Sequence, residues 1–250
     1  MSRSLLAKPS APLAALLLLA GVGGFSPASS AATQLLVTPS AQLAYFNLDS
    51  SSAGYQVDAH LLLWGVELEA LTQDQTYHRL QLSSSLLDQS SVSALADDRA
   101  QVDVHRASYR LGAAQIPAGV GELNLWTGVG WQGVYMDKTS AGKGSIRHAY
   151  LPFGGEWSQS LAPATFSVIG AEYRLLMQGR EHFPGSTRYR FDLSNARGWA
   201  AWIGLDHSAE AQRSLVARLM LEHWTMERSA SRQLAGSRSY LLTAVLGVRF

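Results

Sequence analysis

Ten stretches of this chain alternate, residue by residue, between an apolar row and a mixed one, and the pattern recurs from residue 41 to residue 250. A period of two marks a strand whose two faces meet different surroundings. The stretches are 41–49, 56–70, 77–87, 102–115, 121–136, 147–158, 165–178, 194–205, 212–227 and 239–250. In the seventh, Ile169, Ala171, Tyr173, Leu175 and Met177 oppose Gly170, Glu172 and Arg174. In the last, Tyr240, Leu242, Ala244, Leu246, Val248 and Phe250 oppose Leu241, Thr243, Val245, Gly247 and Arg249. The apolar row reaches the final residue, with an aromatic ring at each end. Beyond residue 32, no segment is long and apolar enough to cross a membrane as a helix.

The connections alternate as well. After odd-numbered strands they are long and polar: 50–55, 88–101, 137–146, 179–193 and 228–238. After even-numbered strands they are shorter: 71–76, 116–120, 159–164 and 206–211. An antiparallel up-and-down barrel has this asymmetry, with both termini at the short-turn end. The all-β reading is therefore a barrel of about 10 strands, a miscounted hairpin giving 8 or 12.

Residues 1–32 read as an export signal. Arg3 and Lys8 precede an apolar core at 11–20, and small residues at 26–32 offer a cleavage point after Ala32. Residues 33–250 are then one barrel domain. There is no cysteine, so neither a disulfide framework nor a lipid-bearing cysteine is expected. A net charge of +1 gives no electrostatic steering toward nucleic acid. Charged residues make up only 16%, against about a quarter in soluble domains.

Alternation alone fits two barrels: a soluble one with its apolar row inside, and a membrane one with that row outside. Three features select the second. Many apolar rows end in Trp, Tyr or Phe, as interfacial girdles do; the opposite rows are rich in Gly and Ser with isolated charges; and the final strand has no polar tail. With these features the chain resembles the small outer-membrane β-barrel proteins of Gram-negative bacteria. The resemblance is architectural, covers 41–250, and carries no motif of a subfamily. It implies a bacterial outer-membrane location. It also implies that the last strand, through Tyr240, Leu242, Leu246, Val248 and Phe250, is a signal read by the barrel-assembly machinery.

An inward mixed row would put Glu67, Glu69, Glu122, Glu156, Glu172 and Glu222 in the lumen with Arg79, Arg106, Arg110, Arg174, Arg218 and Arg249. A barrel of this size is about filled by its side chains, so these charges are expected to pair across strands. The lumen is then a salt-bridged plug, with a narrow solute path as the alternative.

No residue is assigned to catalysis, to a metal or to a cofactor. The seven histidines are scattered singly, without ligand spacing. Ten-stranded outer-membrane proteases use paired acids and a histidine at the rim. Asp97-Asp98 and His182 are the residues that could echo this, and a rim hydrolase stays open as the lesser alternative. Gly142-Lys143-Gly144 lacks the spacing and context of a phosphate loop. The external side is locally cationic at Arg180, Arg188, Arg190, Arg228 and Arg232, which suits contact with lipopolysaccharide phosphates. The role read from the sequence is envelope structure, adhesion or surface recognition, with membrane lipid as the other partner and the oligomeric state undetermined.

Overall fold

The computed structural model describes residues 34–50, 55–72, 75–87, 101–139, 142–182, 188–191, 196–210, 213–227 and 236–250. Residues 1–32, read from the sequence as an export signal, lie outside them. Ten long antiparallel strands close into a barrel: β1 (Gln34–Ser50), β2 (Tyr55–Leu71), β3 (Thr76–Leu87), β4 (Gln101–Ala118), β5 (Gly121–Thr139), β6 (Gly142–Ala162), β7 (Thr165–His182), β9 (Ala196–Glu210), β10 (Arg213–Met226) and β11 (Ser237–Arg249). Each pairs with its neighbours in sequence order, and β1 pairs with β11 to complete the ring. A four-residue strand, β8 (Arg188–Phe191), pairs with the last residues of β7, Gly179–His182, at the end away from the short turns.

Where they are fully described, the short connections are tight turns at one end, at 119–120 and 163–164. Gly119-Val120 joins β4 to β5, with φ of 64° at Gly119, where a side chain with Cβ would be strained. At the other end strands run further than the alternation predicts. The expected loop at 137–146 is instead the tip of a hairpin, with Thr139 paired to Gly142. The expected loop at 179–193 contains the end of β7 and all of β8. The first strand begins at Gln34, seven residues earlier than expected, and runs through Pro39.

The outward row of each strand is apolar over its central part. Leu43, Trp64, Leu111, Val129, Ile169, Ile203, Leu219 and Leu246 are all exposed. Exposed apolar surface that encircles a protein would aggregate in water and is at home in a bilayer. The external edge of this belt is aromatic. Trp199, His223 and Tyr240 are laterally paired across β9, β10 and β11, the His223 and Tyr240 rings stacking at 4.3 Å. Tyr45 and His60 continue the row on β1 and β2. Trp157 and Phe250 mark the opposite edge.

Beyond the aromatic edge the two faces exchange character. Outside, the rows become Asp49, Gln56, Asp103, Arg147, Arg180 and Arg238. Inside, Phe46, Leu48, Val57, Leu61, Leu63, Val102, Val104, Val134, Met136, Ile146 and Leu241 form one buried apolar cluster. The barrel thus has two zones. One is apolar outside and charged inside, suited to lipid. The other is polar outside and apolar inside, suited to water. One continuous period of two builds both.

Candidate functional site: the barrel lumen

Among the described residues the strands enclose a lumen, and its contents decide what can pass. From the short-turn end it holds three layers. The first is a group of charges from β2, β3, β6, β9, β10 and β11. Arg79 lies 3.1 Å from Glu69, 3.3 Å from Glu156 and 3.8 Å from Glu67. Arg218 reaches Glu156 at 3.7 Å and Asp206 at 3.6 Å. Arg249 reaches Asp206 at 3.0 Å and Glu67 at 4.0 Å.

The second layer is a chain of alternating sign. Arg110 donates to Glu172 at 2.7 Å, and Arg174 bridges Glu172 and Glu222, each at 2.8 Å. Arg106 completes it by donating to Glu222 at 2.6 Å, Gln42 at 2.7 Å and Ser83 at 2.9 Å. Two tryptophans join the layers. Trp126 donates to Glu172 at 3.1 Å and Trp202 to Glu156 at 2.8 Å, and their rings stack at 5.8 Å. Glycine makes room for them: a Cβ on Gly170 would fall within the Trp202 ring, and one on Gly130 within the Tyr150 ring.

The third layer is the apolar cluster, flanked by Tyr150, Leu176, Trp224 and Met226. At its edge and beyond the belt (past Met177, the last apolar residue of the outward row of β7) lies a small polar group. Ser237 donates to both oxygens of Glu181, at 2.9 and 3.2 Å. His148 Nε2 stands 4.0 Å from Glu181, too far for a hydrogen bond. No other cation is paired with Glu181 among the described residues, and burial pushes its carboxyl up to about 8.

Eleven of the twelve charges read from the sequence as luminal therefore stand in these two charged layers. The exception is Glu122. It is in the inward row but sits exposed at the mouth, away from the network. Asp206 takes the sixth acidic place. The sequence reading missed it because it follows the apolar run of the eighth stretch and looked like the start of a turn. Trp126 and Trp202 were missed too, since the sequence reading followed only the charged residues of the inward rows. The signal in each case was parity: Trp202 and Asp206 share the inward row with Ala200 and Gly204.

At the external rim, Arg147, Arg180 and Arg190 are laterally paired in register across β6, β7 and β8. Arg147 and Arg180 are exposed. Arg188 lies opposite His182 on β8. Arg228, Arg232, Asp97 and Asp98 lie outside the described residues. His182 ends β7, with Nδ1 buried and unpartnered. No cluster of three potential metal ligands occurs among the described residues. Lys143, in the rejected phosphate-loop echo, pairs with Asp137 across the β5–β6 hairpin.

No family model and no curated protein matches the sequence. Solved structures match the fold. The outer membrane protease OmpT from Escherichia coli superposes with a TM-score of 0.60 at 8% identity, covering 86% of this chain and 96% of that one. The translocator domain of the autotransporter NalP from Neisseria meningitidis gives 0.47 at 14% identity, covering 96% and 95%. Ail of Yersinia pestis, an attachment invasion locus protein, gives 0.37 at 10%, covering 86% and 98%. The fold is that of the small Gram-negative outer-membrane β-barrels.

Proposed function

We propose that this protein is a non-conducting barrel of the bacterial outer membrane, exported by its first 32 residues, whose role is envelope structure and recognition at the cell surface. The apolar cluster inside the external zone carries this reading. A water-filled path needs polar walls along its whole length, and this cluster of packed apolar side chains supplies none. Two charged layers beneath it, already paired, leave no string of free sites for an ion to follow. Narrow-channel activity is thereby disfavoured. Planar-bilayer recording is the test: the purified protein is expected to give no unitary steps, and reproducible steps from protein free of porin contamination would overturn the reading.

The surface partner we propose is lipopolysaccharide. Arg147, Arg180 and Arg190 lie side by side just beyond the aromatic edge, at the level of lipid phosphates. Like charges directly opposed on neighbouring strands repel, and bound phosphate converts that repulsion into charge-assisted hydrogen bonds. Arg188, Arg228 and Arg232 belong to the same proposal through their place in the chain. Replacing Arg147, Arg180 and Arg190 together by Ser should shrink the rise in melting temperature that lipopolysaccharide produces. An unchanged rise would remove lipopolysaccharide as partner of this row.

A further inference from the structure

The lumen is not full. At the short-turn end a cavity of about 400 Å³ opens between the turns. Its outer wall is formed by exposed residues, among them Gln115, Val120, Glu122 and Ser208. Its inner wall is the first charged layer. That volume lies within the range of small-molecule sites. A second void nearby, about 50 Å³ between the two charged layers, has room for only a little water.

Four of the residues lining the larger cavity carry a buried polar atom with no hydrogen-bond partner among the described residues. These are Tyr77 Oη, Arg79 Nε, Asp206 Oδ1 and Arg218 Nε. Tyr77 and Arg79 are only 1% and 2% exposed. A cavity wall is where such an atom can still be satisfied by something that is not protein, and leaving each unpaired is costly.

The orphan atoms are of two kinds. The guanidinium Nε groups of Arg79 and Arg218 can only donate. Oδ1 of Asp206 can only accept, and the Tyr77 hydroxyl does either. The wall also sets the sign of the solute. Arg79, Arg218 and Arg249 face Glu69, Glu156, Asp206 and the rim residue Glu122, a small acidic excess. A simple anion meets repulsion from these carboxylates. A simple cation leaves the Nε donors unsatisfied.

We propose that this mouth is a binding site for a small zwitterion of amino-acid type, with a net positive member such as lysine preferred. Its carboxylate accepts from Arg79 Nε, Arg218 Nε and the Tyr77 hydroxyl. Its ammonium groups donate to Asp206 Oδ1 and, at the rim, to Glu122. In the orientation proposed above the mouth faces the periplasm. The binding chemistry does not depend on that orientation, nor on lipopolysaccharide contact.

Calorimetric titration of the full barrel in detergent tests it with four probes: L-lysine, glycine, acetate and methylammonium. L-Lysine is expected to bind most tightly and glycine more weakly. Acetate and methylammonium should give no heat up to about 10 mM, beyond which binding free energy is under about 3 kcal/mol. Asp206→Asn should weaken lysine by about tenfold, the loss of one charge-assisted contact. Asp206 also pairs with Arg218 and Arg249, so Glu122→Gln serves as the second variant: it is exposed, outside the network, and should weaken lysine several-fold while leaving glycine unchanged. Two results would overturn the proposal. One is no heat from lysine or glycine, which leaves the cavity to water. The other is lysine binding unaltered in Glu122→Gln and in folded Asp206→Asn.

Discussion

Phe250 and Val37 exchange both of their backbone hydrogen bonds, Phe250 N–H to Val37 O at 2.9 Å and Val37 N–H to Phe250 O at 3.1 Å. The pair extends the β1–β11 ladder to the last residue, so the seam of the barrel closes at the interface edge marked by the Phe250 ring. Two main-chain hydrogen bonds contribute about 1 kcal/mol each. Deleting Phe250 should therefore cost the folded barrel only about 2 kcal/mol. Its effect on assembly should be far larger, because Tyr240, Leu242, Leu246, Val248 and Phe250 are proposed to be what the insertion machinery reads. Comparing outer-membrane levels of the truncation with the urea midpoint of the purified, refolded protein separates the two effects. Normal membrane levels would remove the signal role.

Glu222 is the acid on which the second luminal layer depends. It accepts from Arg106 and Arg174, and its side chain is 2% exposed. Replacing it by Ala leaves two guanidinium groups facing one another with only Glu172, Gln42 and Ser83 to share. Breaking a buried pair by removing one partner costs about 3–5 kcal/mol. Glu222→Gln keeps shape and one acceptor and should cost less. The order wild type, Gln, Ala in thermal midpoint is the expected outcome. An Ala variant as stable as wild type would mean that water already screens these charges.

The apolar cluster should behave as a core in the ordinary sense. Phe46 and Leu63 are buried within it, at 1% and 0% exposure. Phe46→Ala and Leu63→Ala should each lower stability by about 3–5 and 2–5 kcal/mol respectively. Leu43→Ala, on the lipid face of the same strand as Phe46, should cost much less, since lipid fills the space left behind. Equal losses at Leu43 and Phe46 would contradict the inward assignment.

That cluster is also where the sequence was least legible. The strand number, the pairing order and the outward row were readable because lipid imposes one rule along the whole belt. The charged lumen was readable because Arg and Glu on an otherwise small row have few other places to go. The apolar cluster obeys the opposite rule with the same period. Along β2, the run His60-Leu61-Leu62-Leu63-Trp64 is apolar on both rows, and beyond it Asp58 and Gln56 occupy the row that Leu62 and Trp64 hold in the belt. Parity continues through the crossing while polarity reverses. A reading that labels each strand by its apolar side therefore loses the reversal. Glu122 and Asp206 were exchanged for a related reason: both stand near turns, where parity says which way a side chain starts but depth decides whether it reaches the network.

Glu181 makes the external zone sensitive to pH. It lies beyond the belt, 2% exposed, bonded by Ser237 and, among the described residues, unopposed by a guanidinium. Burial holds its carboxyl at about 8 in the folded barrel, against about 4.3 in an unfolded chain. The native state thus binds this proton more tightly than the unfolded state does. The resulting stability is fully present below about pH 4 and is lost as pH rises through 8. Urea midpoints of the purified barrel should accordingly fall from about pH 6 to about pH 9, a window that spans the folded-state titration. Glu181→Gln, which keeps the bond to Ser237 and cannot ionise, should flatten most of that fall and be the more stable protein already at pH 6, where the wild type has lost part of this stability. Ser237→Ala removes the donor that favours the ionised form and should steepen it. Parallel curves for wild type and Glu181→Gln would mean that this carboxyl titrates normally, and that the apolar cluster beside it is wetter than its packing implies.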